Sequence, residues 1–253
     1  MYKYPFNLEF INDENGKAFF AFIPFIFDGK PLTGISCGIS SRFSGGMKKK
    51  CDSPNRLNLF KNLGLNPENV YGLDQIHSRT VLAVDGSNPP LVAADGMVTQ
   101  DRNITLSVTV ADCLPVYLFD IKSGAFGLVH SGWKGTGIVL DAINKMKELW
   151  GTRPDNIVTV LGPCINSCCY KVDAQRAEVF ENEFGTEAVR KSNGDFFLDL
   201  KAANVKLLTD TGVQNIALCN DCTFTDERLG SFRRQGKFFT HMVAVISRVF
   251  PCR

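Results

Sequence analysis

Three side chains in this sequence have the chemistry of metal ligands, or of a nucleophile with its base. They are His77 in Asp-Gln-Ile-His-Ser, Cys113 in Ala-Asp-Cys-Leu-Pro, and His130 in Val-His-Ser-Gly-Trp-Lys-Gly. Zinc takes nitrogen and sulfur donors in a tetrahedron, and a catalytic zinc keeps three protein ligands and one open position. One thiolate and two neutral imidazoles leave such an ion net cationic, able to bring the pKa of a bound water toward ~7 or to polarise a leaving group. No two of the three form a local metal pair, so a shared site requires the fold to bring them together. The alternative is a metal-free cysteine hydrolase in which His130 activates the Cys113 thiol. That reading leaves His77, one of only three histidines in the chain, without a task.

Other residues offer supporting chemistry. Asp112, beside the thiol, can orient an imidazole or carry a proton, or simply accept hydrogen bonds from backbone at a strand end. Residues 131–135, Ser-Gly-Trp-Lys-Gly, precede a helical pattern, and free N–H groups and the helix dipole at such a place favour an anion, with Lys134 adding charge. The loop lacks the glycine-lysine-serine spacing of a P-loop. Trp133 can stack on a planar base or pack against its neighbours. Arg42 follows a strand and precedes Gly45 and Gly46, a placement suited to gripping an anion, while Arg233 and Arg234 offer guanidinium forks for phosphate or ribose. A second zinc site made from Cys164, Cys168, Cys169, Cys219 and Cys222 is disfavoured, because only Cys219 and Cys222 have the usual spacing and no histidine is left nearby.

These groups must be positioned by strands. Residues 103–110, 114–119 and 125–129 are rich in Val, Leu, Thr and aromatics, which places Cys113 and His130 where strand gives way to loop. Residues 6–26 read as a hairpin around Asn15-Gly16, and further strands are expected at 34–41, 80–84, 95–99, 157–161, 216–219 and 237–249. The period changes over residues 136–150, where Ile138, Ala142, Met146 and Leu149 share one helical face beside Val139, Ile143 and Trp150. A short helical segment is expected at 57–63; Asp173 and Asp199 cap helices reaching Phe184 and Thr211. With no repeat and no linker, residues 1–253 are expected to form a single α+β domain of mixed sheets flanked by helices.

Composition narrows the partners. A net charge of +2 without a basic stripe argues against nucleic acid, and no apolar run approaches the length of a spanning helix, which argues against a membrane. The absence of an export-type leader points to the cytoplasm, where nine cysteines, an odd number, are expected as reduced thiols rather than a disulfide framework. A small-molecule substrate and a monomer or homodimer are the expectation.

Taken in order, Gln75-Ile-His77, Asp95-Gly-Met-Val-Thr99, Ala111-Asp-Cys113-Leu-Pro115, His130-Ser-Gly-Trp133-Lys-Gly135, Leu161-Gly-Pro163 with Cys169-Tyr170, and Ser231-Phe-Arg-Arg234-Gln-Gly236 resemble the laccase-domain (YfiH-type) family, with matches running from about residue 34 to 249. Its members were once called multicopper polyphenol oxidases and are now regarded as purine nucleoside phosphorylases. The resemblance implies a YfiH/CNF1-like fold and one zinc, with copper possible, on His77, Cys113 and His130. It further implies phosphorolysis of adenosine, inosine and methylthioadenosine, and adenosine deamination at the same site. Asp112 and Cys113 are then the expected catalytic groups, and Arg42, Gln75, Lys134 and Arg233 the expected contacts to nucleoside and phosphate. Ser78, Ser131 and Lys134 stand where the family commonly has glycine, alanine and arginine. Two other activities stay open. A copper-dependent polyphenol oxidase needs imidazole-rich clusters of about ten histidines, against three here. A cysteine hydrolase or amidase editing cell-wall precursors is the other.

Overall fold

The computed structural model describes residues 2–47, 53–87 and 92–248. The lysine run at 48–50 and the end of the expected last strand at Val249 lie outside the described residues. The chain opens with β1 (Tyr2–Phe6), β2 (Phe10–Asn12), β3 (Ala18–Ile23), β4 (Ile26–Phe27), β5 (Lys30–Pro31) and β6 (Ser36–Ser40), then α1 (Pro54–Asn62). Next come β7 (Val70–Tyr71), β8 (Val81–Ala83), β9 (Gly96–Thr99), β10 (Thr105–Val110), β11 (Leu114–Asp120) and β12 (Phe126–Ser131), followed by α2 (Ile138–Trp150). The remainder is β13 (Ile157–Leu161), β14 (Lys171–Val172), α3 (Ala174–Phe184), β15 (Val189–Ser192), β16 (Asp195–Leu198), α4 (Leu200–Thr211), β17 (Asn215–Cys219), α5 (Phe232–Gln235) and β18 (Met242–Ser247).

The architecture is α+β with mixed sheets, in layers that follow from side-chain alternation. A seven-stranded sheet runs β1-β17-β13-β11-β12-β9-β8, and a six-stranded sheet runs β2-β3-β6-β18-β10-β7. All seven residues of β11 are buried, and because a strand alternates its faces they serve two cores. Tyr117 and Phe119 join Ile39, Leu106, Val108, Met242 and Ala244 in the layer between the sheets. Leu114, Val116 and Leu118 pack outward on Ile138, Ala142 and Met146 of α2 and Phe180 of α3. On the far side of the six-stranded sheet, Phe20, Val243 and Val245 meet Leu59 and Phe60 of α1. Each such apolar side chain removed from water stabilises the fold by ~1.5–3 kcal/mol. The Tyr117 hydroxyl crosses the central layer to donate to the carbonyl of Gly38 at 3.0 Å. Gly38 must be glycine, since a Cβ there would lie 2.4 Å from the Ala21 oxygen.

The capped helices occur as expected: Asp173 accepts from the Arg176 N–H and Asp199 from the Ala202 N–H. The expected hairpin forms as the antiparallel pair β2–β3, and β1 before it pairs parallel with β17 in the other sheet. Three expectations are corrected. The helix of the second half begins at Ile138, because Gly137 has φ 105° and breaks the helical path. Leu149 stays 47% exposed at the fraying end of that helix. The last strand starts at Met242, the residues before it being used by α5 and a 3-10 turn, Gly236–Phe238. A three-stranded sheet, β14-β16-β15, was not legible in the sequence. No helix among the described residues is long and apolar enough to cross a membrane, and their seven cysteines are all free.

Candidate metal centre

Two strand ends and one loop converge on a point. β10 and β11 are joined by residues 111–113, in which Asp112 takes φ 87° and so turns the chain sharply at Cys113. His130 sits near the end of β12, opposite Pro115 of β11. His77 lies in the link between β7 and β8 with φ 60°. Two of the four described non-glycine residues in the left-handed region are therefore in this site; such conformations cost free energy and persist where the surroundings enforce them. The donor atoms of His77, Cys113 and His130 all lie within 4.8 Å of one another, with the two imidazole centroids 4.9 Å apart and the rings inclined at 70°.

One buried carboxylate does the enforcing. Asp95 Oδ1 accepts from the His77 N–H at 3.0 Å and lies 2.9 Å from His130 Nδ1. Its Oδ2 accepts from the N–H groups of Ile76 and Ser78 and from the Ser78 hydroxyl. With Nδ1 donating to Asp95, the His130 Nε2 lone pair is left for a ligand or a proton, the usual arrangement behind a metal-binding histidine. Burial pushes the Asp95 carboxyl up, but the His130 and Ser78 contacts outweigh it and hold the group at about 2. Space is also set: a Cβ on Gly132 would lie 2.9 Å from Cys113 Sγ and 3.3 Å from the His77 ring. No side chain fits where the donors converge.

The donors are tuned together. Burial raises the Cys113 thiol, yet the charge and hydrogen bond of His130, then those of His77, bring it down to about 6. Desolvation lowers His130, but the facing thiolate and Asp95 raise it to about 9. The pocket thus favours a thiolate facing a cation, and a divalent ion with soft and nitrogen preferences can supply that positive charge in place of the imidazolium proton. A thiolate, two imidazoles and a carboxylate behind one of them fit zinc.

The three donors lie in the wall of a cavity of about 440 Å³ whose other walls include Trp133, Tyr170, Arg176, Phe232, Arg233 and Phe239. Asp112 lines it, with Oδ1 accepting from the Thr223 hydroxyl at 2.6 Å and Oδ2 from the Arg233 N–H at 2.7 Å. Gln75 lines it too, its amide clamped to Thr109 by bonds of 2.7–2.9 Å. Arg233 places its guanidinium 5.3 Å from the Tyr170 ring and donates to the Lys171 carbonyl. Two of the expected contacts are not brought into the lining. The Lys134 ammonium is exposed, 5.6 Å from the Trp133 ring. Arg42 donates to the Glu227 carbonyl and lies over Phe43. At the start of α2 the Arg79 guanidinium packs against Gly137 and pairs with Glu183.

Sequence reasoning missed Asp95, which it placed only at the start of the strand expected at 95–99; a buried acid beside a candidate ligand is the signal for an orienting group. Also missed were Arg176, which lies 4.6 Å from the Trp133 ring, and the aromatic pair Phe232 and Phe239, 5.2 Å apart and nearly perpendicular. These come from separate segments with no local pattern to announce them.

Residues 40–249 match the family described as multi-copper polyphenol oxidoreductase laccase. A Corynebacterium glutamicum protein named purine nucleoside phosphorylase is 36% identical over 187 residues, 72% of this chain and 76% of that protein. A Clostridium acetobutylicum protein of the same name is 34% identical over 185 residues, 72% and 78% of the two chains. Among solved structures, YlmD from Geobacillus stearothermophilus superposes with a TM-score of 0.80 at 26% identity, covering 94% of this chain and 98% of that one. The Bacillus licheniformis hypothetical protein YfiH gives 0.76 at 27%, covering 84% and 92%.

Proposed function

Because the chain belongs to the multi-copper polyphenol oxidoreductase laccase family, with relatives named purine nucleoside phosphorylase, we propose that it is a zinc-dependent purine nucleoside phosphorylase. It acts on adenosine, inosine and methylthioadenosine and deaminates adenosine at the same site. The observation that carries this reading is the meeting of three metal donors with an aromatic, guanidinium-bearing cavity of nucleoside size.

His77, Cys113 and His130 hold the zinc, which when bound supplies Lewis acidity toward the purine. Copper remains chemically acceptable to the same donors. The other work falls to protein side chains. Phe232, Phe239, Tyr170 and Trp133 offer faces on which a purine stacks and from which water is displaced. Arg233 and Arg176, the two guanidiniums in the lining, hold phosphate for attack on the anomeric carbon as the purine leaves. Lys134 acts from outside the lining as a source of positive potential, and Arg42 acts at most at long range. Gln75 positions His77 by fixing its own segment to β10 through Thr109. Asp112 anchors the Arg233 backbone, and a proton-carrying role requires it to release the Thr223 or Arg233 bond first.

Incubation of the purified, metal-replete protein with adenosine, with and without phosphate, is expected to give adenine and ribose 1-phosphate only with phosphate, and inosine in both. Finding none of these products rejects the proposal.

One observation favours a second reading. Without metal, a Cys113 thiolate facing a protonated His130 is the pair a cysteine hydrolase uses. Metal analysis separates the two: a tightly held ion that is lost on His77→Ala disfavours the hydrolase.

A further inference from the structure

A second group of sulfurs lies outside the cavity lining. Cys168 and Cys169 sit in the turn that follows Ile165, and Cys222 in the loop after β17; their Sγ atoms all lie within 4.8 Å of one another. Cys168 and Cys169 are 3.3 Å apart at sulfur. Three thiolates around one ion with metal–sulfur bonds of ~2.3 Å stand roughly 3.8–4.0 Å from each other. The Cys168–Cys169 separation is shorter than that by about half an ångström and every separation among the three is under 4.8 Å, so rotamer adjustments of that order complete the set.

The backbone has prepared one of these sulfurs, Cys222, for negative charge. The parallel bridge between Cys164 and Cys222 holds the two loops in register, with the Thr223 N–H donating to the Cys164 carbonyl at 3.0 Å. Across it the Asn166 N–H donates to Cys222 Sγ at 3.3 Å. Burial pushes the Cys222 thiol up, but N–H groups of Asn166, Phe224 and Thr225 and the Cys168 thiol outweigh it, so the group lies below its ordinary range. Burial pushes the Cys164 thiol up to about 12, and burial together with the facing Cys168 and Cys222 sulfurs pushes Cys169 up to about 12, a crowding of like groups that a bound cation relieves. The sequence spacing Cys-x-x-Cys points to the wrong partner: Cys219 is buried and its thiol is directed at Asp221, 3.4 Å away. The true partners of Cys222 come from a segment more than fifty residues earlier.

We infer that Cys168, Cys169 and Cys222 form a second metal site, for a thiophilic ion with a filled d shell, zinc or cuprous copper, bound by three thiolates. Cuprous copper is satisfied by three sulfurs, whereas zinc takes a fourth ligand from solvent. That fourth position is reachable, since Cys168 is exposed and, with Cys222, borders a surface depression next to Asn7, Asn220 and Asp226. No ligand is shared with His77, Cys113 and His130, so the inference stands apart from the proposed activity. The ion clips the 166–170 turn to the 220–226 loop. Tyr170 of the first and Thr223 of the second reach the cavity, one as a wall and the other as the donor to Asp112. The site therefore braces the cavity from behind.

The test uses the reduced, metal-depleted full chain and counts bound ions. Cobalt(II) serves as the visible substitute for zinc, and cuprous ion is added in a separate arm against a chromophoric chelator. The unaltered protein is expected to bind two cobalt ions, and the His77→Ala/His130→Ala variant one, retaining a thiolate-to-cobalt charge-transfer band. Adding Cys168→Ser, an exposed position whose change leaves the core intact, is expected to abolish most of that band; Cys222→Ser abolishes it entirely. Tighter binding in one arm identifies the ion. A single ion in the unaltered protein that is undiminished by Cys168→Ser overturns the inference. So does a Cys168–Cys222 or Cys169–Cys222 disulfide in protein isolated without reductant and resistant to mild reduction, which would assign the sulfurs to a covalent clip instead.

Discussion

At the floor of the cavity, His77 and the turn into Cys113 hold left-handed backbone, and one carboxylate ties together His77, Ser78 and His130. At its mouth, Phe232 and Arg233 stand on a four-residue helix, Phe239 on the turn beyond, and Phe232 is 55% exposed. The floor is built from two strand ends packed against the cores and from the exposed His77 loop, which Asp95 ties to them, so its geometry is set before any ligand arrives. No residue of that helix is buried, so the mouth is expected to open more readily than the floor. Chemistry that needs donors at fixed separation is placed where the scaffold is rigid, and recognition of a flat, variable base is left to side chains that can adjust.

The floor is expected to break sharply. Cys113→Ala removes the only anionic donor, and a loss of bound metal with activity falling by well over the ~10–100-fold typical of an outer change is expected, measured by elemental analysis and product formation. Asp95→Asn keeps the shape but withdraws the charge behind His130; a drop of ~10–100-fold in metal affinity is expected, with near-native folding by circular dichroism. Gly132→Ala should resemble Cys113→Ala more than a surface change, since its methyl group would lie 2.9 Å from the sulfur.

The coupling of thiol and imidazole sharpens the comparison through pH. Metal binding to the metal-free site must displace a proton from His130 below about 9, and a second from Cys113 below about 6. Affinity should therefore rise with pH by about tenfold per unit between these values, more steeply below the lower one, and level off above the upper. A competition titration across pH 5 to about 10 reads this directly; a flat profile would show that the two groups do not face each other as described.

Much of the floor was legible in the sequence for a physical reason. A strand announces itself through a run of apolar residues, so Cys113 and His130 could be placed at strand ends, and capped helices such as 174–184 through Asp173. What joins distant segments was not legible. Asp95 looks like half of an Asp-Gly turn until its five contacts are seen. Arg42 and Lys134 have the right charge and loop positions, yet the chain directs the first to Glu227 and leaves the second outside the lining. Cys222 has a local partner at textual distance and a different one in space. Composition and spacing identify what a residue can do, and only topology decides with whom.

The mouth should yield the smallest and most graded effects. Arg233 contributes a guanidinium over Tyr170 and, through its N–H, a bond to Asp112 that any side chain preserves. Arg233→Ala is therefore expected to raise KM for phosphate by about tenfold, the loss of one charge-assisted contact, with kcat nearly unchanged and metal content intact. Arg233→Lys should recover part of that, because it restores charge but not the planar fork. Phe232→Ala should instead raise KM for the nucleoside, by about tenfold, through loss of a stacking face. If Arg233→Ala costs as much metal as Asp95→Asn does, the mouth is not independent of the floor. The link would then run through the shared Asp112 turn, whose Oδ2 accepts the Arg233 N–H while the next residue supplies the sulfur.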